Sequence, residues 1–216
     1  MSTEVFLTWE APVARVRFKD ERGIHILSAD VRRRLNEVVG EIERLDDCRI
    51  VVFEAEGRTF IAGAQIKEFQ GLNIGTAEAL AKEGQCLMQR IEDLQPITVA
   101  AINGAAAGGG CELALACDQR IASENVRIGL PEVTLGLVPG WGGTVRATRL
   151  LGEHVAKRMI LSGELLTAES ALSLGLIDAL FAAEEFTEAV ERRVAQLYSG
   201  GPMACRAVKE LIRQMR

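Results

Sequence analysis

Over residues 14–18 the chain alternates, with Ala14, Val16 and Phe18 on one face and Arg15 and Arg17 on the other, which predicts a half-buried strand. Residues 4–9 are expected to pair with it. The period then lengthens. Val31, Leu35, Val38, Ile42 and Leu45 recur at helical spacing behind Ser28, a residue suited to capping a helix N-terminus. Residues 50–53 form an unbroken apolar run and predict a buried strand. A loop is expected over 57–75, followed by a helix opened by Thr76, striped by Leu80, Leu87, Ile91 and Leu94, and stopped by Pro96. Residues 97–102 predict another strand, and an Ala- and Gly-rich turn after Asn103-Gly104 leads into a helix over about 110–117. Strand-like runs at 120–123 and 126–129 precede helical runs at 143–151, 156–161, 167–174 and 186–197. The order ββα, βα, βα predicts an α/β fold.

Composition narrows the picture. A chain of 216 residues, 48% hydrophobic, fits one compact domain with a sizeable core, and no repeat or linker divides it. With 25 Lys plus Arg against 30 Asp plus Glu, the net charge of -5 opposes nucleic-acid binding, which rests on neutralising phosphates. The Arg32-Arg33-Arg34 run is read as a solvated helix face. Five cysteines without C-x-x-C spacing predict reduced structural thiols and no metal site. The opening MSTEVFLTWE lacks a basic region followed by an apolar run, and no apolar stretch approaches about 18 residues. A cytoplasmic protein without a membrane partner is expected.

The chemistry concentrates between Ile102 and Arg149. Gly108-Gly109-Gly110 opens a helix, whose first amides lack intrahelical partners and can hold an oxyanion; alternatively these glycines only permit tight packing. Glu112, in the first turn, either complements the helix dipole or moves protons. Glu132, ringed by apolar residues, is either a buried paired acid or the second member of a carboxyl pair whose proton affinities raise each other. The turn Ala62-Gly63-Ala64-Gln65-Ile66-Lys67 offers further backbone donors. Trp141, in a glycine-rich loop, packs in the core or borders a pocket. Walker and dinucleotide fingerprints are absent, as is G-x-S-x-G, and His25 and His154 stand in no nucleophile or ligand motif.

Together, IAGAQIKEF, AAINGAAAGGGCELALACD and GLPEVTLGLVPGWGGTVRATRLLG, followed by SGELLTAESALSLGLID, resemble the crotonase superfamily of enoyl-CoA hydratases and isomerases over nearly the whole chain. The resemblance implies a spiral of ββα units that binds an acyl-CoA thioester, its carbonyl held by the backbone amides of Ala64 and Gly109. It implies hydration of a 2-enoyl-CoA, with Glu112 activating water and Glu132 protonating Cα. Isomerisation, thioester hydrolysis, carrier-protein dehydration and non-catalytic acyl-thioester binding are the alternatives. Coenzyme A would enter as part of the substrate, with no separate cofactor, against Ala62, Gln65, Ile66, Lys67, Gly108 and Trp141. Gln65 departs from the family's usual Asp, and Gly23-Ile24-His25-Ile26-Leu27-Ser28 stands where an Asn-Ala-Leu-like turn is usual. Residues 1–201 are expected to form the crotonase-like core and 202–216 the start of a shortened C-terminal helical region. A homotrimer or a dimer of trimers is the expected assembly.

Overall fold

The computed structural model describes residues 3–215; Met1, Ser2 and Arg216, at the ends of the two predicted segments, lie outside them. Strands β1 (Glu4–Glu10) and β2 (Val13–Lys19) pair antiparallel, Val5 opposite Phe18, and lead to helix α1 (Ala29–Ile42). Ser28 caps that helix through its hydroxyl, which accepts the Val31 N–H at 3.4 Å. Three successive units then repeat one plan. They are β3 (Ile50–Ala55), β4 (Thr59–Ile61) and α2 (Ile74–Asp93); β5 (Ile97–Ile102), β6 (Ala105–Ala107) and α3 (Gly109–Ala116); and β7 (Gln119–Ser123), β8 (Arg127–Gly129) and α4 (Gly143–Ser162). In each, the first strand joins a six-stranded sheet and the second a four-stranded sheet before the helix returns the chain, which is a ββα spiral. The remaining elements are β9 (Leu166–Thr167), α5 (Ala168–Ser173), β10 (Ala179–Phe181), α6 (Phe186–Tyr198) and α7 (Pro202–Gln214).

The large sheet runs β1-β2-β3-β5-β7-β10, parallel from β2 onward, and the small one β4-β6-β8-β9. Both faces of the large sheet are covered, which explains the continuous apolar run of β3. Val51 and Phe53 point into the main core with Leu35, Met88 and Leu113. Ile50 and Val52 point the other way, onto Phe186, Val190 and Val194 of α6.

Several expectations change. The region expected as loop over 57–75 contains β4 and a 3-10 helix, Ile66–Phe69. Helix α2 starts earlier than Thr76: Asn73 is its cap, and Thr76 closes a capping box by accepting the Asn73 N–H at 3.0 Å. The Ala-rich turn is strand β6, held by parallel neighbours on both sides. The two helical runs at 143–151 and 156–161 are halves of α4, broken at Gly152, whose φ of 76° is outside the helical region. Arg32 does not belong to a solvated face; it is 2% exposed, because acceptors from three segments converge on it. Helix α7 spans 13 residues and buries none of them, so Ala207, Val208, Leu211 and Ile212 form an uncovered apolar side. Lys209 tethers it by donating to the carbonyls of Leu94 and Pro96. Among the described residues no helix is long and apolar enough to cross a membrane.

Candidate active site

The spiral stacks α3 against β4 and β6, so that its N-terminus meets the turn leaving β4. Two glycines make this approach possible. Gly108 takes φ 52° and ψ -120°, a conformation that L side chains rarely adopt, and turns the chain from β6 into α3. At Gly110 a Cβ would overlap the Ile61 carbonyl oxygen. All eight residues of α3 are buried, including Glu112 in its first turn.

Glu112 is 2% exposed, yet it has firm partners. Its Oε1 accepts the backbone N–H groups of Trp141 and Gly143, both at 2.8 Å, from the loop that leads into α4. Burial raises its proton affinity; those two amides and the Arg146 charge oppose the rise. The loop is itself braced. The Trp141 indole is wedged where a Cβ on either Gly84 of α2 or Gly109 of α3 would overlap it, and the Arg32 guanidinium lies 5.4 Å above its ring. Arg146 Nη1 donates to the Trp141 carbonyl at 3.0 Å while its Nε pairs with Glu92 at 2.8 Å. Gln85 donates to the Gly140 carbonyl at 2.8 Å.

Glu132 opens a second 3-10 helix, Glu132–Leu135, after Pro131. Its Oε1 would lie 3.0 Å from a Cβ on Gly108, so the carboxyl reaches across to the start of α3. Its Oε2 is buried and has no hydrogen-bond partner. Burial, with a smaller contribution from the Glu112 charge, pushes its pKa up to about 7. The two acids therefore share a site but not an environment: one is pinned by amides and faces a guanidinium, the other is partly stripped of polar contacts.

A cavity of about 400 Å³ joins them. Ala62, Ala64, Ile66, Gly108, Gly109, Glu112, Glu132 and Trp141 all line it; Gln65 and Lys67, expected to contact the substrate, lie outside its lining. Trp141 is thus both core and wall, at 5% exposure. The N–H groups of Ala64 and Gly109 donate to no protein acceptor among the described residues. The loop over 69–75, expected from the sequence to shape the pocket, supplies Phe69 and Leu72 to its apolar wall; sequence reasoning missed the rest of that wall, Ala77, Leu80 and Ala81, as well as the braces Arg32, Gly84 and Arg146. An isolated glycine inside the helical pattern of α2 was the available signal for Gly84, since such a glycine usually has a packing reason. His25 is buried elsewhere, its Nδ1 2.9 Å from the Thr59 carbonyl oxygen. No group of three His, Cys, Asp or Glu among the described residues is arranged to hold a metal ion.

Residues 8–215 match the family model described as Enoyl-CoA hydratase/isomerase. The chain is 35% identical over 209 residues to the short-chain-enoyl-CoA hydratase of Clostridium acetobutylicum, covering 96% of this chain and 80% of that protein. Its structure is similar to the crystal structure of an enoyl-CoA hydratase from Bacillus anthracis, with a TM-score of 0.90 and 34% identity over 97% of this chain and 82% of that one. DspI of Pseudomonas aeruginosa gives a TM-score of 0.91 and 32% identity, over 98% and 81% of the two chains.

Proposed function

The chain belongs to the enoyl-CoA hydratase/isomerase family, and from that premise we propose that it adds water reversibly across the 2,3 double bond of a 2-enoyl-CoA to give a 3-hydroxyacyl-CoA. The observation that carries this reading is the meeting of two carboxyls of unlike environment in one cavity, beside two backbone amides that have no protein acceptor. Double-bond isomerisation needs only one acid that gives and takes a proton. Addition of water needs a base for the water and an acid for the carbon.

The thioester oxygen accepts from the Ala64 and Gly109 N–H groups, and the α3 N-terminus adds its partial positive charge. Glu112, whose Oε1 is held by Trp141 and Gly143, uses its other oxygen to take a proton from the water attacking C3. Negative charge then moves onto the thioester oxygen, where each amide is worth about 10² to 10³ in rate. Glu132, with a pKa near 7, delivers its proton to C2 as the enolate collapses. The apolar wall receives the acyl chain, and the segment from Ala62 to Lys67 runs along the coenzyme A side. Coenzyme A enters as part of the substrate, and acid, base and oxyanion donors all come from the protein. Assembly as a trimer or a pair of trimers, in the cytoplasm, belongs to the same proposal.

The experiment is the loss of conjugated enoyl-thioester absorbance when the protein meets crotonyl-CoA, compared with Glu112→Gln and Glu132→Gln. Turnover in the wild type and none in either variant supports the two-carboxyl mechanism. Hydration surviving in Glu112→Gln would refute it, and double-bond migration without hydration would move the assignment to an isomerase.

A further inference from the structure

We infer that Arg146 is a positioning residue for Glu112, acting through the turn Trp141-Gly142-Gly143. This role rests on the hydratase reading only for its kinetic readout. The two amides that hold Glu112 Oε1 belong to the peptide units before Trp141 and before Gly143. The unit between them carries the Trp141 carbonyl, and that carbonyl accepts from Arg146 Nη1 at 3.0 Å. Fixing the middle unit fixes the tilt of both neighbours, so the direction in which Glu112 presents its free oxygen is set from the far side of the turn.

The arrangement around the guanidinium is closed and specific. Gly142 adopts φ 106°, and a Cβ there would overlap Arg146 Nη1, so the residue beside the carbonyl is one that leaves room for the fork. The Arg146 backbone N–H returns to the Gly142 carbonyl at 3.0 Å, closing the first turn of α4 over the same loop. The Nε–Glu92 pair, at 2.8 Å, ties the guanidinium to α2, and both side chains are under a tenth exposed. A planar fork that meets a carbonyl and a carboxylate at once is a geometry lysine cannot copy.

The charges around Glu112 are few. Arg146 faces it from α4, Glu132 from the second 3-10 helix, and the buried Cys111 thiol adjoins it in α3. Glu92 of α2 is paired with Arg146, Arg120 of β7 bears on Cys111, and Arg32 of α1 lies over the Trp141 ring. Arg146 is thus the cation that favours the ionised, base-competent form of Glu112 against burial.

The test is the pH dependence of hydration in Arg146→Met, Arg146→Lys and Glu92→Gln. In Arg146→Met the acid limb, set by protonation of Glu112, moves to higher pH, because the charge that favours the carboxylate is gone. Its kcat falls by about tenfold to a hundredfold, with KM for crotonyl-CoA little changed, as a misaimed base requires. Arg146→Lys keeps the charge, so it holds the limb near its wild-type position while recovering only part of kcat. Glu92→Gln frees the Arg146 charge and moves the limb down, which tests the charge without removing the residue if Arg146→Met does not fold. The same titration is readable without turnover, in the carboxyl-stretch infrared difference between each protein and its Glu112→Gln counterpart. An inactive wild type whose infrared titration shifts as described would sink the hydratase reading and leave the positioning role intact. Folded variants with an unmoved limb, an unmoved infrared titration and an unchanged kcat would overturn it, and Arg146 would be a packing residue.

Discussion

Replacing Glu132 with Gln should abolish turnover and, above neutral pH, make the protein more stable. The Glu132 carboxyl rises from an ordinary 4.5 to about 7 on folding, chiefly through burial. Every tenfold gain in proton affinity corresponds to about 1.4 kcal/mol, so keeping this group ionised in the folded state costs about 3 kcal/mol. Because the folded pKa is the raised one, the native state binds the proton more tightly than the unfolded chain. The associated stability is full below pH 4.5, is lost as pH rises through 7, and is gone at pH 8. Gln carries no such dependence. Its amide still meets the unpartnered environment of Oε2, and that adds an offset which does not vary with pH. The quantity to measure is therefore the change in the variant-minus-wild-type difference between pH 4.5 and pH 8, by urea denaturation at each pH. It should grow by up to about 3 kcal/mol, or about 6 to 12 °C in Tm for a domain of this size. A difference that is the same at both pH values would refute the claim that Glu132 is held at a raised pKa, and with it the role of proton donor near neutrality.

Two further outcomes follow from the packing. Gly84→Ala gains up to about 1 kcal/mol of helix propensity but drives a methyl into the Trp141 indole, so it should lose about 1 to 3 kcal/mol through overpacking. Because the Trp141 N–H holds Glu112, kcat should fall with it; a thermal melt and a crotonyl-CoA assay check both, and an unchanged Tm would show that the wedge is loose. Of the five cysteines, Cys86 is exposed and Cys205 half-buried, whereas Cys48, Cys111 and Cys117 are buried with raised pKa values, Cys117 to about 12. A disulfide reagent at pH 8 should therefore modify Cys86 first and reach those three only after denaturation; native-state labelling of Cys111 would contradict the burial of α3.

The long elements were legible because their apolar period is imposed by a face that must be buried. The stripe of α1 and the run of β3 are read directly from residues 31–42 and 50–53, and the break in α4 at Gly152 separates the two helical runs that the pattern showed. The second strand was legible at β2 and β8, marked by the alternation over 14–18 and the run at 126–129, but not at β4 and β6. Strands β4 and β6 have three residues each, too few to display a period, and β6 is Ala-Ala-Ala, which has little intrinsic reason to extend. Parallel neighbours impose those strands. At the site, the two acids and the glycine entry could be picked out because carboxyls inside apolar runs are conspicuous. Arg32 and Arg146 could not, since nothing in a sequence shows that distant carbonyls and carboxylates will converge on a guanidinium. Gln65 and Lys67 sit in the motif yet outside the cavity lining, because the 3-10 helix over Ile66–Phe69 turns Ile66 and Phe69 toward the cavity.

The two amides on Glu112 Oε1 also decide what a glutamine at that position becomes. Facing two N–H donors, the Gln carbonyl must take the place of Oε1, since its NH₂ group there would set donor against donor. The NH₂ then points into the cavity. An acceptor for water is exchanged for a donor, and a water bound there turns its lone pair toward residue 112 instead of its hydrogen. Such a variant inverts the polarity of the contact as well as lacking a base, and it is suited to hold the 3-hydroxyl oxygen of the product. It is the form of this protein in which a bound 3-hydroxyacyl-CoA should persist long enough to be seen.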